Sequence, residues 1–246
     1  MEISSVILIL GLLIMLYMNT KREKLQNIIY DDIYIINLDS RKDRLNVTLK
    51  RLNDNGFNNI KRFPAVNGKQ LSDIEIENIV APHALKSVKS GVREHHHELS
   101  YGAIGCSLSH MNIWKIFNDK NEDDNAKLIV FEDDTLPSFD IKTLEEYMQD
   151  VPIDWDIVFF GGEYNNREDI NENVIKLYSF YRTDAYIIRK KCIPMLLQNI
   201  LPMSKQIDSW LSDLASEKKI NLYAFTKNKW VPNEEVSSTD IQTPMI

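Results

Sequence analysis

The stretch that most constrains the fold is Lys127 to Asp134, KLIVFEDD, in which four apolar residues run straight into Glu132, Asp133 and Asp134. Leu128, Ile129, Val130 and Phe131 do not alternate with polar residues, the pattern of a strand covered on both faces inside an α/β sheet. Ligands of such sheets bind beyond the carboxyl ends of the strands, where the three acids fall. Adjacent carboxylates repel one another and need a cation, and a hard oxygen donor set selects magnesium, manganese or calcium over zinc. An ordinary polar loop after a strand is the competing reading of this stretch taken alone.

Upstream, Ile33 to Leu38 reads as another short strand, with Asp39 and Ser40 as caps for a helix from Arg41. Leu45, Leu49 and Leu52 fall at i, i+4 and i+7 on one helix face, and Asn55 with Gly56 ends it. Ile60 to Val66 resumes an extended pattern, so the opening unit is strand, helix, strand, as in nucleotide-binding α/β domains. Asn37, Asp39, Arg41, Asp43 and Arg44 occupy the junction between strand and helix. Free amides at a helix start, with two arginines beside them, suit a diphosphate or a nucleoside.

Asn67 to Ser100 has no clear periodicity and reads as a long excursion or lid. Its His95, His96 and His97 cannot all face one ion from a regular element, and solvated loop histidines are the simpler reading. From Tyr101 to Asn118 a helix places Ile104, Leu108, Met111 and Trp114 on one face, with His110 elsewhere as a core histidine or a nucleotide contact. Leu144, Tyr147 and Met148 indicate a short helix, and Trp155 to Phe160 a buried strand ending at Gly161 and Gly162. Tyr186 to Ile188 is a further strand, followed by a helix through Met195 to Leu197 that stops by Pro202. Asp208 opens the amphipathic turn DSWLSDLA, as an N-cap or as a functional carboxylate at a helix amino end.

Lys plus Arg is 29 and Asp plus Glu is 36, a net charge of −7, and no basic stripe follows residue 25. Nucleic acid is therefore not an expected partner. Cys106 and Cys192 make no disulfide framework and have no metal-ligand spacing, so they read as core thiols. Ile3 to Met18 carries no charge and reads as an uncleaved membrane anchor, with Lys21, Arg22 and Lys24 on its far side. The positive-inside rule then puts the rest of the chain in the cytosol. Residues 1–25 are expected to be anchor and basic flank, and 26–246 a single catalytic domain without repeats or Gly/Ser linkers.

Six segments in order resemble glycosyltransferase family 25, which includes lipopolysaccharide glycosyltransferases and collagen hydroxylysine galactosyltransferases. They are IINLDSRKDR (35–44), GAIGCSLSHMNIWK (102–115), LIVFEDD, IDWDIVFFG, TDAYIIRK (183–190) and QIDSWL. The resemblance implies a GT-A type nucleotide-sugar-binding α/β fold with a mostly parallel central sheet, here preceded by one transmembrane helix. It implies a UDP-hexose or related donor, Mn2+ or Mg2+, and transfer of galactose or glucose, with inversion, to a hydroxyl of a glycan, lipopolysaccharide or hydroxylysine-containing protein. Glu132, Asp133 and Asp134 would hold the metal, Asp134 with one of the other two playing the part of a DxD motif. Asn37, Asp39, Arg41 and Arg44 would contact the donor, with Ser109 and His110 nearby by family analogy. Asp208 is the expected general base and Asp156 its reserve. Lys42 and Arg189 depart from the family pattern, where Pro and Ser are usual, and Arg189 bears on donor fit. The rival reading is a membrane-tethered module of the same fold that binds nucleotide sugar or glycan without turnover.

Overall fold

The computed structural model describes residues 30–137, 139–226 and 230–232. In chain order these form β1 (Asp32–Asn37), α1 (Lys42–Asp54), β2 (Lys61–Pro64), α2 (Asp73–Ile79), α3 (Leu85–Ser90), α4 (Tyr101–Lys120), β3 (Lys127–Glu132), β4 (Thr135–Pro137) and α5 (Ile141–Met148). There follow β5 (Ile157–Phe159), β6 (Glu163–Asp169), β7 (Val174–Tyr181), β8 (Ala185–Arg189), α6 (Ile193–Asn199), α7 (Ile207–Ser216), β9 (Leu222–Phe225) and β10 (Trp230–Pro232). Eight strands make one sheet in the order β2-β1-β3-β8-β5-β9-β7-β6, and β4 pairs with β10 apart from it.

Strand geometry sends successive side chains to opposite faces, and here both faces are covered. Ile33, Ile35, Ile129 and Phe131 pack with Leu52 of α1 and Leu144 of α5. Tyr34, Ile36, Leu128 and Val130 pack with Ile113 and Trp114 of α4, Leu196 of α6 and Leu211 of α7. This is why KLIVFEDD lacks alternation. Each such fully buried aliphatic or aromatic side chain contributes about 2 kcal/mol. A third cluster joins Ile76 and Val88, of the Asn67–Ser100 stretch, to Ile104 and Met203. That excursion is thus helical in part, with its own core, and α2 is closed by a reciprocal Ser72–Glu75 capping box.

The mostly parallel sheet expected from the sequence is corrected to a mixed one. β1 pairs in parallel with β2 and β3, and β5 with β9, but β3–β8, β8–β5, β9–β7 and β7–β6 are antiparallel. β8 therefore runs against β3, and its amino end lies at the edge where β3 ends. Asp39 and Ser40 do not cap α1; its N-cap is Arg41, with no side-chain cap hydrogen bond.

Among the described residues no helix is long and apolar enough to cross a membrane. The anchor expected at Ile3–Met18 lies outside the described residues. The single-pass membrane location, and the cytosolic orientation derived from it, are accordingly withdrawn.

Candidate active site

At the carboxyl end of β3 the chain fans its three acids apart. Asp133 turns back toward β1 and α1: Asn37 Nδ2 donates to its Oδ2 at 2.5 Å and Arg44 Nη1 to its Oδ1 at 3.3 Å. The Thr48 hydroxyl donates to the Asp133 carbonyl at 2.8 Å. Burial raises the Asp133 carboxyl above its ordinary value, against the lowering effect of Asn37 and Arg44. Asn37 is itself spent, since its second amide hydrogen goes to the Arg41 carbonyl at 2.8 Å and its Oδ1 accepts from Arg62 Nε at 2.9 Å.

Glu132 faces the other way. Its Oε1 accepts from the Thr183 hydroxyl at 2.7 Å and meets His110 Nε2 at 3.2 Å. Trp114 Nε1 donates to the Tyr186 hydroxyl at 2.8 Å, and that hydroxyl lies 2.8 Å from His110 Nδ1. The ionised Glu132 carboxylate accepts the hydrogen of His110 Nε2, and the Tyr186 hydroxyl, which takes the Trp114 hydrogen, is the partner of Nδ1. Burial pushes the Glu132 carboxyl up, but the bonds from His110 and Thr183 and the charge of Arg182 outweigh it and hold the group low.

Asp134 and Asp184 complete the cluster. One ligand oxygen from each of Glu132, Asp134 and Asp184 lies within 4.8 Å of the others. Antiparallel pairing brings Asp184 here, since Ala185 stands opposite Phe131 and Glu132 N donates to the Asp184 carbonyl at 2.8 Å. Asp134 Oδ1 is buried without a hydrogen-bond partner among the described residues. Burial, then repulsion from Glu132 and Asp133, pushes the Asp134 carboxyl up to about 6. Asp184 is raised well above its ordinary value by burial and by Glu132, against the pull of Arg182. Three hard oxygen donors, two of them uncomfortable as anions and one with an orphaned oxygen, fit a divalent metal.

Two clefts share Cys106, Glu132 and Asp134. The first is lined by Asn37, Ser40, Arg44, Val66, Asn67, Lys69, Ser109 and His110. Its wall depends on two glycines. A Cβ on Gly68 would stand 1.7 Å from the Tyr101 carbonyl, and one on Gly105 would stand 2.3 Å from the Val66 carbonyl. The Val66–Lys69 turn therefore rests directly on the backbone of α4. Ser109 fastens it, accepting from Val66 N at 2.9 Å and donating to the Gly105 carbonyl at 2.7 Å.

The second cleft is lined by Glu163, Arg182, Thr183, Asp184, Gln206 and Asp208. Asp208 Oδ2 accepts from Arg182 N at 3.0 Å and Oδ1 from Ser209 N at 2.6 Å. Burial raises its carboxyl despite those bonds. Asp208 lies in the first turn of α7, whose N-cap is Gln206.

Of the residues singled out in the sequence, Asn37, Arg44, Ser109, His110 and the three acids line the first cleft, and Asp208 the second. Asp39 and Arg41 do not line either. Asp39 is paired with Arg62 at 2.5 Å and its side chain is 81% exposed, while Arg41 is paired with Asp43 at 3.3 Å. Asp156, the reserve base, stands at the start of β5, on the opposite edge of the sheet, where it accepts from Asn221 N at 2.9 Å and pairs with Lys191 at 3.1 Å. Arg189 also sits on that far edge, stacked 4.1 Å from the Trp155 ring centroid, so it does not touch the clefts. His95, His96 and His97 are exposed, as expected. Cys192 is a core thiol, but Cys106 borders both clefts, with its thiol held well above its ordinary value by burial and the surrounding acids. Sequence reasoning missed Asp184, Arg182, Thr183, Arg62 and Gly68. The first three lie in or next to TDAYIIRK, and an Asp directly before a strand was the available signal.

Glu132 at the end of β3, Asp134 just after it and Asp184 just before β8 are thus gathered at one edge of the sheet of an α/β domain, between two polar clefts. Residues 30–195 match the family described as Glycosyltransferase family 25 (LPS biosynthesis protein). The chain belongs to glycosyltransferase family 25. It is 30% identical over 197 residues to a glycosyltransferase 25 family member of Anopheles gambiae, covering 73% of this chain and 31% of that protein. To procollagen galactosyltransferase 1 of Danio rerio it is 26% identical over 206 residues, covering 79% and 33%. To the procollagen lysyl hydroxylase and glycosyltransferase of Acanthamoeba polyphaga mimivirus it is 26% identical over 192 residues, covering 71% and 21%. The chain thus spans about a third or less of the length of these relatives.

Proposed function

We propose that the chain transfers a hexose from a nucleotide-sugar donor to a hydroxyl acceptor with the help of a divalent cation, Mn2+ or Mg2+. The observation that carries this reading is the Glu132–Asp134–Asp184 oxygen cluster, with the orphaned Asp134 Oδ1, set between two clefts in a family 25 chain. In this reading Glu132, Asp134 and Asp184 hold the cation, which supplies charge neutralisation for the departing nucleoside diphosphate. Asp133 is a positioning residue that ties β3 to Asn37 and Arg44. His110 and Ser109 act likewise: His110 orients Glu132 and Ser109 fixes the Val66–Lys69 turn.

The nucleoside and diphosphate belong in the first cleft, where Arg44 and Lys69 offer positive charge. The acceptor enters the second cleft, and Asp208 takes the proton from its attacking hydroxyl. A single base facing the acceptor is what an inverting displacement requires, and the raised Asp208 carboxyl favours taking up that proton. Relatives named procollagen galactosyltransferase favour UDP-galactose as the donor and a hydroxyl on protein as the acceptor.

The test is a screen of nucleotide sugars with Mn2+, read as release of free nucleoside diphosphate. Turnover of one UDP-hexose that stops on chelation and returns with Mn2+ is the expected result. Binding of a nucleotide sugar without release under any metal would favour a non-catalytic module instead.

A further inference from the structure

We infer that Arg182 is the resident counterion of the acid cluster and exchanges places with the divalent cation, its guanidinium passing from Asp184 to the donor diphosphate. This exchange rests on the divalent-cation reading proposed above. Three carboxylates with one oxygen each within 4.8 Å of the others repel as anions, and positive charge beside them stabilises the ionised cluster whether or not a metal is bound. Arg182 supplies it. Its Nη2 stands 2.9 Å from Asp184 Oδ2 and its Nε donates to Asp184 Oδ1 at 3.2 Å, so both carboxylate oxygens are engaged by one planar fork. One of those oxygens belongs to the set on which a metal would draw. A dication arriving there meets a guanidinium already in place, and the two repel.

The root of this side chain is fixed and its head has room to move. Arg182 has φ of +76°, a left-handed conformation that costs free energy in a residue with a Cβ. It is held from both sides: its N–H is bonded to Asp208, and Gly162, at φ +144°, lies so close that a Cβ there would stand 3.0 Å from the Tyr181 carbonyl. The Arg182 side chain is 33% exposed and lines the second cleft, beside the acids that the two clefts share. A strained, over-determined backbone that presents one cation at the seam between two binding clefts is the kind of outlier that marks function.

The full chain is titrated with Mn2+ alone and unbound Mn2+ is followed by its paramagnetic resonance signal. Arg182→Gly keeps the left-handed backbone without strain, and Arg182→Gln keeps length while dropping charge, should the glycine variant lose its cooperative melt. Both are expected to bind Mn2+ about tenfold tighter than the parent without nucleotide, and to bind UDP about tenfold more weakly once Mn2+ is present. A residue that merely braces Asp184 gives the reverse, weaker Mn2+ binding in the variants. Weaker or unchanged Mn2+ binding overturns the exchange while leaving the cation reading intact. Failure of the parent and both variants alike to bind Mn2+, with or without UDP, overturns both.

Discussion

On the β1 side of Glu132, Asp133 has partners that fit it: its carboxylate accepts from Asn37 and Arg44, its carbonyl accepts from the Thr48 hydroxyl, and Asn37 has both amide hydrogens placed. On the β8 side, Asp134 keeps a buried oxygen with no partner among the described residues, and Asp184 leans on a left-handed Arg182. Asp133 and Asp134 are neighbours in sequence and both reach Arg44 Nη1, at 3.3 and 3.7 Å, yet Asp133 also takes a hydrogen bond from Asn37 while the second oxygen of Asp134 has no hydrogen-bond partner among the described residues. A satisfied buried network specifies structure, whereas surplus like charge held in place needs something that is not part of the chain.

The comparison breaks first at Asp134. Asp134→Ala is expected to lower Mn2+-dependent UDP release at least about 1,000-fold while leaving the melting temperature unchanged or higher, because it removes a repulsive anion. A variant that melts early and keeps its turnover would place Asp134 with the structural acid. Asp133→Ala should behave in the opposite way, costing about 2 kcal/mol in denaturant unfolding because Asn37 and Arg44 lose the carboxylate they share, and Arg44 keeps only the longer contact to Asp134 among its two acids, at 3.7 Å. Full stability in that variant would dissolve the distinction between the two sides.

Asp208→Asn sharpens the picture on the acceptor side. Transfer to acceptor should fall about 100-fold with the affinity for UDP and Mn2+ unchanged. Loss of both together would make Asp208 a donor or metal residue. The smallest effect is on the pH dependence of stability. The Asp134 carboxyl moves from an ordinary 3.8 to about 6 on folding, so the folded protein binds that proton more tightly than the unfolded one. Stability of the chelator-treated protein therefore falls as pH rises from about 4 to about 6, by a few degrees in Tm. Asp133, Asp184 and Asp208, also raised, add to the same slope, and Glu132, held low, opposes it below that window. Saturating Mn2+ should flatten the curve; an identical slope with and without metal would detach the raised carboxyl from cation binding.

Much of the fold was legible because local pattern and tertiary role coincide in β1, α1, β3, α4 and β5. Leu52, Ile104 and Trp114 are buried as their spacing indicated, and the apolar run of β3 is two-faced. The direction of β8 was not legible, since YII is apolar whether it runs with or against β3, and antiparallel pairing is what delivers Asp184 to Glu132. Nor was the β6–β7 hairpin: the exposed EYNNRED carries no apolar period of its own and takes its place through the pairing of β7 with β9. At the site, carboxylates at a strand end drew attention in the right place, but spacing alone did not reveal that Asn37, Arg44 and Thr48 would claim Asp133. Asp39 and Arg41 look like donor ligands in sequence and turn out to bond Arg62 and Asp43, because the helix starts later than its capping signals suggested.

The strand order leaves the two clefts with unequal reach along the chain. β9, the last strand of the large sheet in chain order, is inserted between β5 and β7, so within the sheet the β6–β7 hairpin is joined to the rest through β9 alone. Arg182 follows directly on β7, and its N–H is held by Asp208 of α7. The first cleft is lined wholly by residues between Ile36 and Asp134, from β1, α1, α4, β3 and the turns beside them. The second cleft draws on residues from Ala103 to Asp208, and Gln206, Ile207 and Asp208 lie outside the span that defines the family. One cleft is therefore complete by Asp134, whereas the other depends on the stretch that follows the family match.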